Sequence, residues 1–304
     1  MTALLFAAVV IVWGLSWFAI HLQVGGTTSD VAIFWRFAIS SGLLGCWLAA
    51  TQKLRPPPRA LVPWLALLGM SLFSVNFLGI YSAASILPSG VVSVIFSTST
   101  ILNAANLWIF FRQRPDIRVV AGGVLGVTGV ALLLSSGAGA TAVTREQLLS
   151  GVALALVGTT IFSLGNMITR RIARSGFGLT NAVFYGMTFG SLLLACDVLS
   201  SGHSLAFPLT ARWIGGLAYL SVAASVAGFI AYMSLIHRIG ADRAAYTTII
   251  SPVIALGVSG FFEDLHWTTA MLCGVALVLS GNILAFLPRR GAPAVIAPIE
   301  VEQG

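Results

Sequence analysis

Charge is scarce in this chain. Asp, Glu, Lys and Arg together make up 8% of 304 residues, and Lys53 is the single lysine. A soluble domain of this length needs far more charge to cover its surface. With 58% hydrophobic residues and a mean hydropathy of +0.97, the surrounding solvent has to be a lipid bilayer. The net charge of +7 and pI of about 10.0 would suit a nucleic-acid binder, but the basic residues fall in short gaps between apolar runs, which excludes that class. Cysteine is rare too. Cys46, Cys196 and Cys273 lie in three different apolar runs with no metal-binding spacing, and buried free thiols are expected. The four histidines, His21, His203, His237 and His266, sit at run ends or in gaps and form no HExxH. There is also no GxSxG and no paired intramembrane aspartate, and Lys53 lies in a gap where it could not carry a retinal Schiff base. No enzyme, catalytic residue, metal or cofactor is expected. No Asp or Glu falls in the central third of any apolar run, so the carboxylate that proton-coupled antiporters commonly use is missing.

What the chain has is apolar length. Ten runs follow one another at 3–22, 31–51, 62–82, 90–111, 117–135, 149–170, 179–200, 211–236, 242–262 and 266–287. Each is long enough to cross a hydrocarbon core of ~30 Å as a helix. The tail at 288–304 has no periodicity and is expected to be disordered. The N-terminal run lacks a basic leader and has an internal counterpart, so it reads as a retained span rather than a signal peptide. Thirteen Lys and Arg residues fall in alternate gaps and the tail, against Arg145 and Arg212 on the other side. The positive-inside rule then puts both termini in the cytoplasm. Compact loops fit a multi-pass protein of a bacterial inner membrane, and a monomer is expected.

The runs repeat. An offset of 150 places Phe34-Trp35 on Phe184-Tyr185, one of 151 places Tyr81 on Tyr232, and one of 152 places Ser99, Gly122 and Gly129 on Ser251, Gly274 and Gly281. The chain therefore divides into halves at 1–140 and 141–287 with five spans each. An odd span count inverts the second half, and the expected fold is an all-α membrane protein, a 5+5 inverted-topology repeat around a central site near the midplane. The ninth run concentrates polar groups at that depth: Tyr246, Thr247, Thr248, Ser251 and Pro252. Pro252 has no N–H and crowds the Thr248 carbonyl, so a bend or hinge is expected there, serving either packing or movement.

These features resemble the drug/metabolite transporter superfamily, in its ten-span EamA-type branch. The residues that carry the resemblance are WGLSW at Trp13–Trp17, FWRF at Phe34–Phe37, the stretch Ala241–Gly257, and Gly274 with Gly281. The resemblance implies a basket of ten helices around a central cavity that moves small metabolites out of the cytoplasm. Near the end of the fourth and ninth spans the family usually has a glutamate; here the corresponding residues are Gln113 and, close by, Glu263.

A transport cavity needs polar or aromatic groups at membrane depth, and these define the candidates. Trp13 and Trp17 share one face of the first run with Ser16 beside them. Asn76 and Tyr81 lie in the third run, Ser99 and Asn103 in the polar STST-containing fourth, Phe162 and Asn166 in the sixth, Tyr232 in the eighth, and Tyr246 and Ser251 in the ninth. Each could instead serve packing, the hydroxyls by bonding back to their own helix. Arg36 and Asp197 are the charges inside predicted spans. Each either snorkels to the interface or acts on substrate, Arg36 by binding a carboxylate or the two together as an outer gate. Rings with hydroxyls and amides suit amino acids, aromatic or hydrophobic ones above all, moved by facilitated alternating access. Multidrug or cationic-drug efflux is the alternative carrier, and a channel-like pore is the alternative class. The partners expected are a small-molecule substrate and the lipid bilayer, with no nucleic acid.

Overall fold

The computed structural model describes residues 2–135, 143–240, 246–263 and 265–286, together with Ala244. The charged turn at Asp242 and Arg243, Asp264 and the 288–304 tail lie outside the described residues. Among those described, regular structure is helical throughout. Eight helices are long and apolar enough to cross a membrane: α1 (Thr2–Gln23), α2 (Ser29–Ala50), α3 (Arg59–Ala84), α4 (Ser89–Phe111), α5 (Ile117–Ser135), α6 (Arg145–Ala173), α7 (Leu179–Ser200) and α8 (Ala211–Ile236). Two more, α9 (Tyr246–Phe262) and α10 (Thr269–Phe286), are also apolar but shorter. At ~1.5 Å per residue, the 17 residues of α9 reach ~25 Å, the lower end of what a bilayer requires.

Local chemistry sets the boundaries. Thr144 and Gln147 form a reciprocal capping box at the start of α6, and the Thr210 hydroxyl accepts from Trp213 N at the start of α8. Pro63 stands in the first turn of α3, where its missing N–H costs nothing. The chain turns after α1 and α6 at Gly25 and Gly176, with φ of 79° and 75°, and after α2 and α7 at Gln52 and Gly202, with φ of 56° and 69°.

Three irregularities interrupt the helices. Ser71–Val75 in α3 and Tyr219–Ala227 in α8 are π-helical, and α4 breaks at Thr98 between Ser97 and Ser99. The helix α9 runs on through Pro252. The Thr248 carbonyl that the ring cuts off from helical bonding has Ser251 Oγ at 3.5 Å.

Glycines bring the helices together. A Cβ on Gly129 would meet Gly274 O of α10 at 2.5 Å, and one on Gly274 would meet Gly129 O at 2.7 Å; Gly122 and Gly281 make the same reciprocal approach at the other end of the crossing. Gly69 of α3 faces Gly186 O and Gly190 N of α7, both at 2.6 Å, and Gly79 faces Leu154 O of α6 at 2.9 Å. On the other side Gly14 of α1 meets Ile254 of α9, and Gly90 of α4 meets Leu256 and Ser259 of α9. The pattern of buried and exposed positions over residues 31–50 recurs position for position over residues 181–200.

The cysteines differ from expectation. All three are free, but each lies exposed on the outside of its helix rather than in the interior. A thiol is a small apolar group, and burial against protein gains it little over contact with lipid tails.

Gly129→Val should therefore force two backbones apart, at a cost of roughly 1–3 kcal/mol or more. The expected readout is a clear drop in Tm and loss of the monodisperse peak in detergent. Gly42→Ala, where nothing lies within 4 Å, should leave Tm equal or slightly raised.

Candidate functional site

The candidate residues fall into two groups. The first is a chain of rings across α1, α4 and α6. Trp17 is buried and meets Phe96 edge-on at 5.3 Å, and Phe96 is tilted against Phe162 at 4.7 Å. One turn earlier on α1, Trp13 lies 4.8 Å from the ring of Tyr232 on α8 and donates Nε1 to Ala224 O at 3.3 Å. Gly228 gives the indole this room, since a Cβ there would stand 3.0 Å from Nε1. The Ser16 hydroxyl bonds back to Trp13 O at 2.7 Å, inside its own helix.

A polar layer lies beside these rings. Asn103 Oδ1 accepts from Ser163 Oγ at 2.8 Å and from Asn166 Nδ2 at 3.1 Å, and Ser163 Oγ in turn accepts from Asn106 Nδ2 at 2.8 Å. Four side chains thus tie α4 to α6. Asn103 Nδ2 and Asn166 Oδ1 make no bond among the described residues, and both asparagines are half-buried. The layer therefore presents one donor and one acceptor beside a row of rings, an arrangement that can hold the polar end of an amphipathic molecule. Ser99 and Tyr246 are half-buried, and Ser251 is buried where α1 passes at Gly14.

The second group lies between α2, α3 and α8. Arg36 does not snorkel as the sequence allowed. It is only 6% exposed, donates Nε to Ser225 Oγ at 3.2 Å, and places its guanidinium 4.5 Å over Phe77 and 5.0 Å over Phe37. The π-helical stretch of α8 supplies Ser225. Tyr81 is buried and donates to Gln23 Oε1 at 2.8 Å. Asn76 is fully buried, and neither end of its amide has a protein partner. Asp197 does not join this group. It lies exposed on α7, and no ion pair links it to Arg36, so the two do not form a gate in this conformation.

One carboxylate named in the sequence has partners that the sequence did not reveal. Glu263 at the end of α9 has a buried side chain that accepts from both Ser89 N, at 2.7 Å, and Ser89 Oγ, with His21 Nδ1 at 3.4 Å. It caps the start of α4, where unpaired N–H groups favour an anion. Gln113, two residues short of the 152-residue offset from Glu263, follows the end of α4 and accepts from Arg170 of α6 at 3.2 Å. The two helix ends thus carry matching polar ties at opposite ends of the bundle. At the end carrying Glu263, His203 Nδ1 also pairs with Asp30 Oδ2 at 2.8 Å. Among the described residues no group of three His, Cys, Asp or Glu side chains could hold a metal.

The sequence profile of the EamA-like transporter family matches residues 1–135 and 149–287. An uncharacterized transporter of Bacillus subtilis (strain 168), YvbV, is 27% identical over 93% of this chain and 90% of its own length. An uncharacterized transporter of Archaeoglobus fulgidus is 24% identical over 90% of this chain and 95% of its own. A probable amino-acid metabolite efflux pump of Salmonella typhimurium (strain LT2) is 24% identical over 93% of this chain and 95% of its own. A solved crystal structure with 16% identity superposes at a TM-score of 0.64, covering 93% of this chain and 96% of that one.

Ser163→Ala should cost about 1–3 kcal/mol, because Asn103 and Asn106 each lose a buried partner. Ser16→Ala, which removes only a bond within one helix, should stay within about 0.5 kcal/mol. Glu263→Ala should cost about 1.5–3 kcal/mol, since its bonds to Ser89 are charge-assisted. Thermal unfolding of the three variants in one detergent checks this ranking.

Proposed function

The chain belongs to the EamA-like transporter family, and we propose that this membrane transporter is a ten-span facilitative carrier that exports amino acids, aromatic or hydrophobic ones above all, by alternating access. The observation that carries the substrate class is the polar layer of Asn103, Ser163 and Asn166 set beside the Trp17–Phe96–Phe162 ring chain. Such a pairing matches a molecule with a hydrogen-bonding head and a flat or apolar side group. Further support comes from the 24% identity to the probable amino-acid metabolite efflux pump of Salmonella typhimurium, and within this reading the chain is taken to be most similar to the aromatic amino-acid exporter YddG.

Two halves, 1–140 and 141–287, related by inverted topology, account for several otherwise separate facts. The burial pattern of α2 returns in α7, left-handed turns follow α1 and α6 and again α2 and α7, and π-helical stretches fall in α3 and α8. The glycine crossing of α5 on α10 is reciprocal in the way a twofold axis requires. With both termini cytoplasmic, the arginine-rich end faces the cytoplasm and the end carrying Gln23, Ser89 and Glu263 faces outward. Ser99, Tyr246 and Ser251 complete the cavity wall on α4 and α9, and Pro252 is the hinge between them.

Counterflow in proteoliposomes tests this reading. Vesicles loaded with unlabelled tryptophan should accumulate radiolabelled amino acid saturably and independently of a pH gradient. Trp17→Ala or Asn103→Ala should lower apparent affinity about tenfold, the loss expected for one aromatic or hydrogen-bonding contact. Folded protein that accumulates no amino acid would sink the substrate class. A strict need for the gradient would sink the facilitative mechanism.

A further inference from the structure

Among the described residues, the buried Arg36 has no counter-charge. The carboxylates buried elsewhere have cationic or polar partners: Asp30 is paired with His203, and Glu263 with His21 and Ser89. Around Arg36 stand the hydroxyls of Ser225 and Tyr81 and two ring faces, and Nη1 makes no hydrogen bond. A guanidinium has five N–H donors, so two hydroxyls do not satisfy it. Ring faces offset part of the desolvation, but a single buried charge with no opposite charge is a costly arrangement for a fold to keep.

The groups next to it are donors in the same condition. The Tyr81 hydroxyl lies within electrostatic reach of the guanidinium and spends its proton on Gln23 Oε1. That bond turns the other end of the Gln23 amide into a donor, and Gln23 Nε2 is buried with no partner. Gln23 and Tyr81 also line a cleft of about 230 Å³ that opens between Thr27, Thr28 and Ser85, at the end opposite the arginine-rich loops. An opening to the surface, two buried unpaired donors and one uncompensated positive charge thus lie together along α1, α2 and α3.

We propose that Arg36 and Gln23, with Tyr81 between them and the cleft, form a monovalent-anion site whose occupant is the carboxylate of the transported substrate on its way to the outer face. The assignment of the carboxylate to substrate rests on the carrier reading above; the anion site itself does not. One guanidinium suits one negative charge. A phosphate dianion would call for a second Lys or Arg, and the two nearby histidines are already engaged by Asp30 and Glu263. The flanking faces of Phe37 and Phe77 fit a planar carboxylate in the guanidinium plane. The site lies apart from the Asn103–Asn166 layer, so a substrate leaving that layer would meet a second polar station before release. A small inorganic anion such as chloride offers the same charge and could occupy the site between substrates.

The test is thermal unfolding of the purified full chain in detergent at constant ionic strength, with sulfate as the balancing anion. Chloride, acetate, tryptophan and tryptophanamide are titrated against the wild type, Arg36→Met and Gln23→Leu. Chloride, acetate and tryptophan should each raise the wild-type Tm saturably, and tryptophanamide, which keeps the ring and lacks the carboxylate, should not. Arg36→Met should abolish the anion shifts while its anion-free Tm is no lower than that of the wild type, since an unpaired buried charge has been removed. Gln23→Leu should raise the half-saturating anion concentration about tenfold. Chloride that weakens the tryptophan shift would identify substrate carboxylate as the occupant. A chloride shift indifferent to tryptophan would keep the anion site and overturn its substrate role. Equal anion shifts in the wild type and Arg36→Met, or no shift with any anion in the wild type, would overturn the site. Loss of counterflow with the chloride shift intact would mark failure of the carrier reading alone.

Discussion

In a bilayer no water waits to bond a polar group that the helix releases, so every such group must find protein, substrate or a wet cavity. The structure follows from that constraint. The π stretch of α3 and the break of α4 at Thr98 are largely buried, and the π stretch of α8 packs one face on α1 and α2 while Val222 stays exposed. The Trp13 indole takes a carbonyl of the π stretch in α8, and Ser225 of the same stretch takes Arg36. Pro252 removes one backbone donor, and Ser251 stands closest to the carbonyl it strands. In α8 the irregular backbone lies where side chains from α1 and α2 use it, and in α3, α4 and α9 hydroxyls of the same helix bond its carbonyls.

Close approach is the complement of that rule. Lipid tails are as apolar as leucine, so burying leucine drives helices together only weakly, and contact between backbones has to supply the attraction. The glycine crossings of α5 with α10, α3 with α7 and α1 with α9 provide it. A side chain of ordinary size at Gly129 or Gly69 would open the α5–α10 or the α3–α7 interface.

Much of this was legible in the sequence. The ten apolar runs match the helices to within a few residues at most ends, because hydropathy reports burial from water directly. The membrane class and family could be read from the same residues. The side-chain partners were not, since they depend on helix rotation. Arg36 looked free to snorkel, yet its position on α2 turns it toward Phe77 and Ser225. Cys46, Cys196 and Cys273 looked interior, yet the same geometry turns them outward. Glu263 was placed near the end of the ninth span, but its partners, Ser89 and His21, are distant in sequence and could not be read. Asn103 and Asn166 were recognisable as amides in hydrocarbon, but that they would bond each other could not be read from either one alone.

The packing order has a consequence for how the chain assembles. α1 packs on α8 and α9, α2 on α7 and α8, α3 on α6 and α7, and α4 on α6 and α9, while α5 pairs with α10. Nearly every helix of residues 2–135 finds its main neighbours beyond residue 143. Emerging from the ribosome, the early helices would be inserted but unmated, with glycine faces and the Asn103 amide open to lipid. Assembly therefore cannot proceed half by half. The late helices must thread back among the early ones, so the first part of the chain stays vulnerable to proteases until α10 leaves the translocon.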